Sequence, residues 1–554
     1  MQPLVERHDF RQTQTAFTTL TMANGEGGLF SSKLPLFGSP WELPFEFPLF
    51  QYIASIVYKV FDTNIDFANR LTSLIFFCLC LFPIHAISMK FMTRAGAILS
   101  CLLFAFSPLA IQWSRSSLIE YCVLFFGLLF VLYSLKFWEK PNWGFFFMAV
   151  LFGVTAGLVK ITTLLPMIVF LVVLTACKSD VLIQFRSNRL RIFGLLSILF
   201  FSLLSAQAWA LFSDRIRYDN PASRWLTQSE LNFWTFGTIE QRKLWGNWRV
   251  IFDRIDILIL PEHLTILTLL LSFAFSKSRR MSFAALLASV ITVAIFFNLY
   301  VVHDYYLIAI SVMFSFLFAS TVDSLFTLLK PTGRKFLTLI VPVLLVIIYS
   351  VDAGRSYWGS AYVKYPRGES ELALLSRPNQ QSFVSWDGWN PLILYYANRR
   401  GMMLDPRSTS LVYLSNLRDL DRYDFYAGNP DRPDVIQIRG FYSPAGRYTT
   451  RIDDNLNDFQ KYGVVFSRNH ILSSQFKLNS STIRCDGATV FDLRLFPAGT
   501  VIDTTRVGSA LDFGVSLNLQ SIPIGRSLKI LSKIPDNNTG RLVCGGGGYV
   551  RFRW

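Results

Sequence analysis

The stretch SSLIEYCVLFFGLLFVLYSLK, residues 116–136, is an almost continuous apolar run of the length that a helix needs to cross a bilayer. Its only carboxylate, that of Glu120, lies close to its start. A carboxylate against lipid costs about 2.5 to 3.5 kcal/mol even on the lenient insertion scale, so Glu120 needs water or a polar partner. The stretch therefore predicts a membrane helix with a costly charge near one end.

Apolar runs of similar length recur along the first two thirds of the chain. With 116–136 they number about ten by the length rule, the others being 68–88, 95–113, 143–160, 161–177, 192–212, 257–276, 282–301, 304–327 and 336–352. Hydrophobic residues make up 52% of the 554 residues and charged residues only 16%, which argues against a soluble protein. The sequence predicts an α-helical polytopic membrane protein.

The loops between these runs differ in charge. Alternate loops are rich in Lys and Arg, and the positive-inside rule places all of them in the cytoplasm. The formal net charge of +16 then reflects these loops, and no nucleic-acid partner is expected. The remaining loops, including 1–67, 213–254 and everything after 352, face outside. An N-terminus on that side predicts that one more helix precedes Glu6 in the natural gene.

We expect two domains, a transmembrane domain at 1–352 and an extracytoplasmic α/β domain at 353–554. Residues 1–67 form the first outer loop, broken up by Pro and Gly, with helical ends at Phe10–Ala23 and Pro48–Phe61. Residues 213–254, rich in Arg and Trp, form a second large outer loop suited to lipid head groups. After 352, short β-like runs alternate with helix-like pieces.

Five of the seven cysteines fall inside apolar runs, where a thiol behaves as a small hydrophobe. Cys485 and Cys544 lie in the polar C-terminal part. Outside the cytoplasm these two could form a disulfide.

Ionisable residues at the outer ends of the helices all fall on one side of the predicted topology. They are Asp9, Arg11, Glu42, Glu46, Arg115, Glu120, Lys160, His303 and Asp304. Charges with structural roles alone would be divided between the two sides, so a common outer site is favoured.

Structural alternatives remain for each residue. Asp9 could be a solvated loop residue or a helix cap, or could simply pair with Arg7 or Arg11, and Glu120 could pair with Arg115. Lys160 could extend to the membrane surface, whereas Tyr305 and Tyr306 could belong to an aromatic belt. The sequence has no His/Cys metal spacing, no Gly-x-Ser-x-Gly elbow and no Walker loop, which argues against zinc hydrolases, serine hydrolases and ATP-driven pumps.

The order and spacing of five segments resemble the landmarks of the GT-C glycosyltransferases, in the branch of the protein O-mannosyltransferases and the lipid A aminoarabinose transferases. The segments are His8-Asp9-Phe10-Arg11-Gln12, Glu46-Phe47-Pro48-Leu49, Ser107-Pro108-Leu109-Ala110 with Arg115 and Glu120, Gly157-Leu158-Val159-Lys160 and His303-Asp304-Tyr305-Tyr306. The resemblance spans residues 6–400. It departs from the family in lacking the first helix and in having Glu120 where many relatives carry Asp.

The resemblance implies transfer of a sugar from a polyprenyl-phosphate donor to an extracytoplasmic lipid, glycan or protein acceptor, usually with inversion. Asp9 would be the general base, and Glu120 would orient the acceptor or Arg115. Donor phosphate and substrate would be bound by Arg11, Glu46, Arg115, Lys160, His303, Tyr305 and Tyr306. No cofactor is certain, and a divalent metal is left open. The expected location is the bacterial plasma membrane, with the site outside.

Two other functions stay open. A transporter or flippase of lipid-linked saccharides would also place charges within a helical bundle, although transporters usually show repeated halves and charges near the midplane. An oligosaccharide polymerase or ligase of different fold could be distinguished only by the donor that it uses.

Overall fold

The computed structural model describes residues 3–4, 7–38, 40–177, 189–220, 223–274 and 276–328. Beyond these it describes the helical positions 340, 344, 347–348 and 351, then 381–385, 390–398, 400–404 and the strands after 422. The chain forms two compact units. One comprises Met1–Lys33, Pro44–Ile216 and Leu226–Val363, and the other Leu34–Leu43, Arg217–Trp225 and Lys364–Trp554.

Helices build the first unit. In chain order up to residue 328 they are α1 Asp9–Ala23, α2 Leu49–Phe61, α3 Ile65–Ser88, α4 Arg94–Ala105, α5 Pro108–Trp113, α6 Glu120–Glu139, α7 Trp143–Val159, α8 Ile161–Ala176, α9 Arg189–Asp219, α10 Asn232–Phe236, α11 Ile239–Lys243, α12 Trp245–Leu258, α13 Glu262–Ala274, α14 Ser276–Ile295, α15 Phe297–Val302 and α16 Ile308–Leu328. Short 3₁₀ turns lie at Arg224–Leu226 and Asp304–Leu307. The two helical ends predicted for the first loop are thus present as α1 and α2.

Within the described residues, four helical segments are long and apolar enough to cross a membrane. They are α3, α6, α9 and Asp304–Leu328, which contains α16; the pair α12 and α13, bent by 90°, would make a fifth if it is one span. Helices α7 and α8 are apolar but shorter, with 17 and 16 residues. The figure of about ten spans therefore stays a prediction, and most of the run 336–352 lies outside the described residues.

Several helix boundaries differ from the sequence prediction, and three of them have a clear local cause. The run 95–113 is two helices, because Ser107 caps a new helix by accepting a hydrogen bond from the Ala110 N–H at 3.2 Å, with Pro108 as its first residue. The run 257–276 breaks just before α13, where Pro261 intervenes. Helix α6 begins at Glu120 itself, so this carboxylate is at the helix start and not a turn inside it.

Helices α6, α7, α8 and α16 pack against one another in the first unit. Phe170 of α8 stacks on Phe316 of α16 with ring centres 5.4 Å apart. Near the C-terminal end of α16, buried Asp323 accepts hydrogen bonds from the backbone N–H (3.1 Å) and the hydroxyl of Thr93, which caps α4. A Cβ at Gly96 would lie 2.8 Å from Asp323, so this close approach requires glycine.

Strands are the main elements described in the second unit. They are β1 Gln381–Ser385, β2 Gly401–Leu404, β3 Tyr423–Asn429, β4 Arg432–Ile438, β5 Tyr442–Ala445, β6 Tyr448–Arg451, β7 Thr482–Arg484, β8 Thr489–Asp492, β9 Val501–Asp503, β10 Leu511–Val515, β11 Asn518–Ile522, β12 Ser527–Lys529, β13 Arg541–Cys544 and β14 Val550–Arg553. The helix α17 (Leu392–Ala397) connects β1 to β2.

The first sheet of this unit has the order β2-β1-β3-β4-β5-β6. Strand β1 pairs in parallel with both β2 and β3, so β1, α17 and β2 form a βαβ crossover. The later strands form two further sheets, β11-β10-β14-β13-β8 and β12-β9-β7. The N–H of Gly401 donates to the Pro35 carbonyl at 3.2 Å, which ties segment 34–43 to β2. An α/β domain spanning all of 353–554 stays a prediction.

Candidate active site

A buried ion pair joins the start of α6 to the break between α7 and α8. The Lys160 Nζ lies 2.5 Å from Oε1 of Glu120, and the two side chains are 5% and 2% exposed. Lys160 reaches this position because its extended backbone (φ −165°, ψ 106°) interrupts the two helices. Glu120 thus pairs with Lys160 and not with Arg115. Oε2 of Glu120 has no hydrogen-bond partner among the described residues.

A second ion pair joins α1 to the segment before α2. The Arg11 guanidinium binds the Glu46 carboxylate through NH2 and donates through NH1 to Oε1 of Gln14 at 3.0 Å. The side chains of Arg11 and Glu46 are 15% and 22% exposed. Both members of the pair are therefore largely withdrawn from water.

The two ion pairs are electrostatic neighbours. Burial opposes ionisation of Glu46, but the positive charges of Arg11 and Lys160 hold its pKa down to about 2. Burial likewise opposes the charge of Arg11, and the carboxylates of Glu46 and, more weakly, Glu120 raise its pKa. Both pairs therefore belong to one cluster, in which each carboxylate keeps a cation charged.

Asp9 is the first residue of α1. Its Oδ1 accepts a hydrogen bond from the Phe10 N–H at 2.6 Å, and its carbonyl accepts one from the Thr13 hydroxyl at 2.7 Å. A helix N-terminus stabilises a negative charge, so the ionised form of Asp9 is favoured. Asp9 is half-buried, and His8 and Arg11 are near it in the sequence.

His8 and Arg7 bind the carboxylate of Asp304, which is distant in the sequence. Nε2 of His8 lies 2.9 Å from Oδ1 of Asp304, and NH1 of Arg7 lies 3.1 Å from Oδ2. Asp304 is buried, with its side chain 1% exposed. The segment just before Asp9 is therefore fastened to the turn that precedes α16.

Aromatic rings surround the His8 imidazole. Its centre lies 5.5 Å from Trp113, 4.9 Å from His303 and 5.0 Å from Tyr305. Tyr305 in turn stacks on Tyr306 at 4.8 Å, and the Lys160 Nζ lies 4.5 Å from the Tyr306 ring centre. The rings of Trp113, His303, Tyr305 and Tyr306 thus form a continuous wall. This wall extends from the imidazole of His8 to the ion pair of Lys160 with Glu120.

His303 contributes a neutral imidazole to this wall. Burial, with the nearby charges of His8 and Lys160, lowers its pKa to about 3. Its buried Nδ1 has no hydrogen-bond partner among the described residues. Trp234 of α10 lies 6.0 Å away, ring centre to ring centre, so part of the second large loop reaches the same wall.

Arg115 is the predicted site residue that the structure leaves apart from this cluster. It is exposed, and its carbonyl accepts a hydrogen bond from NH1 of Arg70 at 2.8 Å. Sequence reasoning also missed Gln12 as a bridge: its amide donates to the Arg7 carbonyl at 3.0 Å and accepts from the Ser117 N–H at 3.1 Å. The one feature of the sequence that could have indicated this role is that Gln12 belongs to the motif at residues 8–12.

The described residues show no candidate metal site, and they do not test the predicted disulfide. They contain no group of three or more His, Cys, Asp or Glu side chains that could hold a metal ion. Cys485 lies outside the described residues, and of Cys544 only the backbone in β13 is described, so the predicted disulfide is not tested. The cysteines in the apolar runs are free thiols.

Comparisons with known proteins give one partial family match and several structures of similar fold. Residues 43–207 match the family model of the dolichyl-phosphate-mannose-protein mannosyltransferases. A search of curated proteins finds no match. The apo crystal structure of ArnT from Cupriavidus metallidurans is 11% identical, with a TM-score of 0.50 over 77% of this chain and 89% of ArnT. At this identity the similarity concerns the fold alone.

Two further structures are similar with lower scores. ArnT from the same organism bound to undecaprenyl phosphate aligns at 11% identity and a TM-score of 0.48, over 76% of this chain and 85% of ArnT. The oligosaccharyltransferase AglB from Archaeoglobus fulgidus, in complex with an inhibitory peptide and a dolichol-phosphate, aligns at 13% identity and 0.46, over 71% of this chain and 60% of AglB. The family model covers less than a third of the chain, and this match and the fold shared with apo ArnT agree with the predicted resemblance to the GT-C membrane glycosyltransferases.

Proposed function

We propose that this protein transfers a sugar from a polyprenyl-phosphate carrier to an acceptor hydroxyl outside the cytoplasm, with inversion at the anomeric carbon. The observation that carries the proposal is that two cations largely withdrawn from water, Arg11 and Lys160, are each held by a carboxylate, and that Asp9 begins the helix that carries Arg11. The name of the matched family contains dolichyl-phosphate-mannose, which belongs to the same chemical class as other polyprenyl-phosphate-linked sugars.

Asp9 is the general base in this proposal. It takes the proton from the acceptor hydroxyl as that oxygen attacks the anomeric carbon, and the bond from this carbon to the phosphate oxygen breaks. A carboxylate within hydrogen-bond reach contributes about 10²- to 10⁴-fold to such a step. The N-terminus of α1 keeps Asp9 ionised and therefore able to accept the proton.

Lys160 and Arg11 stabilise the phosphate that leaves with the bonding electron pair. A phosphate leaving group stabilised by fixed cations requires no general acid. Glu120 and Glu46 hold these cations in place before the donor arrives, and Oε2 of Glu120 is available to accept a hydrogen bond from a substrate hydroxyl. Exposed Arg115 stays a proposed contact for the phosphate at the membrane surface.

His303, Tyr305 and Tyr306 form the wall of the donor site. Aromatic faces pack against the apolar faces of a sugar ring, and the neutral His303 Nδ1 provides a hydrogen-bonding atom beside them. No step depends on a metal ion. We propose the plasma membrane of a bacterium as the location, with the site and the C-terminal unit on the outer side.

Two measurements test the proposal together. Mass spectrometry compares cell-envelope glycans with and without the gene, and the reconstituted protein is given undecaprenyl phosphate carrying radiolabelled mannose, glucose or aminoarabinose with a membrane extract as acceptor. The proposal predicts one missing modification and transfer of one of these sugars. Unchanged glycans and no transfer would contradict it, and movement of the intact carrier across the bilayer would favour the transporter.

A further inference from the structure

The residue before Asp9 has a backbone conformation that normally needs glycine. His8 has φ 58° and ψ 38°, in the left-handed region. A non-glycine residue held there costs about 1 to 3 kcal/mol and persists only where its surroundings fix it. His8 caps α1 without a side-chain hydrogen bond to that helix, and its carbonyl accepts the N–H groups of Arg11 (3.0 Å) and Gln12 (3.1 Å).

The His8 side chain instead points to a carboxylate far along the sequence. Asp304 lies 2.9 Å from its Nε2 and 3.1 Å from NH1 of Arg7, and the carboxylate is buried. Rings on three sides restrict the imidazole further, namely those of Trp113, His303 and Tyr305. The backbone of His8 therefore cannot relax without breaking a buried charged contact and a packed ring cluster.

We propose that Asp304 is a positioning residue, which holds Arg7 and His8 and thereby sets where the Asp9 carboxylate stands at the start of α1. The inference rests on the proposed function, in which Asp9 is the general base. Asp304 itself touches no substrate in this account. Its effect passes through one peptide unit, because the φ and ψ of His8 determine where the first turn of α1 begins relative to the wall of rings.

Helix α16 offers a matched control. Asp323 is also buried, lies in the same helical segment as Asp304, and accepts hydrogen bonds from Thr93. The two aspartates are separated by nearly the whole length of that segment, about 28 Å at 1.5 Å per residue. Asp304→Asn and Asp323→Asn therefore remove the same charge from the same segment, but only the first lies beside His8.

Kinetics on the full-length protein in proteoliposomes test the inference, with the sugar donor that gives transfer. We expect Asp304→Asn to lower kcat by about 10- to 100-fold with little change in the KM for the donor, because a misplaced base slows chemistry more than binding. Asp323→Asn should keep wild-type kcat. If Asp304→Asn keeps wild-type kcat while Asp9→Asn is inactive, the inference is overturned and the proposed function stands.

Substitutions at His8 separate the side-chain contact from the backbone conformation. His8→Gly adopts the left-handed conformation freely but loses the contact with Asp304, so its kcat should fall as far as that of Asp304→Asn. His8→Gln places an amide N–H near the position of Nε2 and should recover most of the activity. Full activity in His8→Gly would mean that only the backbone shape matters and would contradict the role of Asp304.

Hydrogen exchange gives a readout that does not depend on activity. Amide exchange in the peptide that contains Phe10, Arg11 and Gln12 should become about 10-fold faster in Asp304→Asn and stay unchanged in Asp323→Asn, because only the first frees the start of α1. Unchanged exchange in Asp304→Asn would overturn the inference even if no transfer is found. If only the proposed function is wrong, amide exchange should still be faster in Asp304→Asn, while the wild-type protein shows no transferase activity.

Discussion

Lys160 and Glu120 form an ion pair in which Nζ and Oε1 are 2.5 Å apart and neither side chain is more than 5% exposed. A pair buried this deeply adds little to stability against an apolar substitute, but loss of one member leaves an uncompensated charge. We therefore propose that the pair, which lies beside Tyr305, Tyr306 and the pair of Arg11 with Glu46, serves function more than folding.

Replacement of Lys160 separates these two roles. Lys160→Met should lower the free energy of unfolding by about 3 to 5 kcal/mol, because Glu120 then stays buried without its cation. The double variant Lys160→Met/Glu120→Leu should recover most of that loss and still lack transferase activity. Thermal unfolding in detergent and a transfer assay measure the two effects. A single variant as stable as the wild type would contradict the ion pair.

The pair of Arg11 with Glu46 should make stability depend on acid pH. The pKa of Glu46 is about 2 in the folded protein against an ordinary value of 4.5. Its ionised form therefore adds stability that is fully present above about pH 4.5 and is lost as the pH falls toward 2. The difference in thermal midpoint between the wild type and Glu46→Gln should be constant from pH 7 to 5 and shrink below that.

Glu240→Gln is the control for this pH series. Glu240 pairs with Lys243 at 2.7 Å, but both side chains are exposed, 79% and 64% respectively. An exposed pair contributes little, so its loss should leave the midpoint nearly unchanged at every pH. A Glu46→Gln difference that persists unchanged down to pH 3 would argue against a buried, ionised Glu46.

His303 should respond to pH in a different range. Its pKa is about 3 in the folded protein and 6.5 ordinarily, so the unfolded chain binds more protons between these values. Stability is then present above about pH 6.5 and is lost as the pH falls toward 3. In His303→Gln this part of the loss between pH 6.5 and 5 should disappear, whereas exposed His263→Gln should behave as the wild type. Identical curves for His303→Gln and the wild type would contradict a buried neutral imidazole.

Gly96→Ala tests the contact between α4 and α16. The added Cβ would lie 2.8 Å from Asp323, so the helices must separate, at about 1 to 3 kcal/mol. Thermal unfolding should show the loss, while the KM for the donor stays unchanged because the contact lies at the opposite end of the Asp304–Leu328 segment from Tyr305 and Tyr306. Gly246→Ala, with no atom within 4 Å of the added Cβ, is the control and should keep wild-type stability.

The length and hydropathy of the apolar runs were enough to predict many of the helices. The apolar run at 68–88 became α3, and the Lys160 break between two apolar runs is present as predicted, because length and hydropathy decide such elements. The break at Ser107 could also have been read from its Pro108 signal. Helix α12 was missed because its charged and apolar residues alternate around the helix and do not form one apolar run.

Partnerships across the chain could not be predicted in the same way. Glu120 was weighed against Arg115, its neighbour in sequence, whereas the structure pairs it with Lys160 across forty positions. The contact of His8 with Asp304 spans 296 positions. Spacing along a sequence restricts only residues on one element, so which outer charges meet depends on helix packing that composition does not encode.

Transfer by the Asp9→Asn variant is the decisive test of Asp9 as general base. Asp66→Asn is its match, because Asp66 is likewise an acidic residue in the first turn of a helix, α3. Both variants would be purified at equal yield and assayed in proteoliposomes with the labelled carrier that the wild type uses. We expect Asp9→Asn to lose about 10²- to 10⁴-fold in kcat, as removal of a general base does, and Asp66→Asn to keep wild-type activity. Wild-type kcat in a folded Asp9→Asn protein would contradict it.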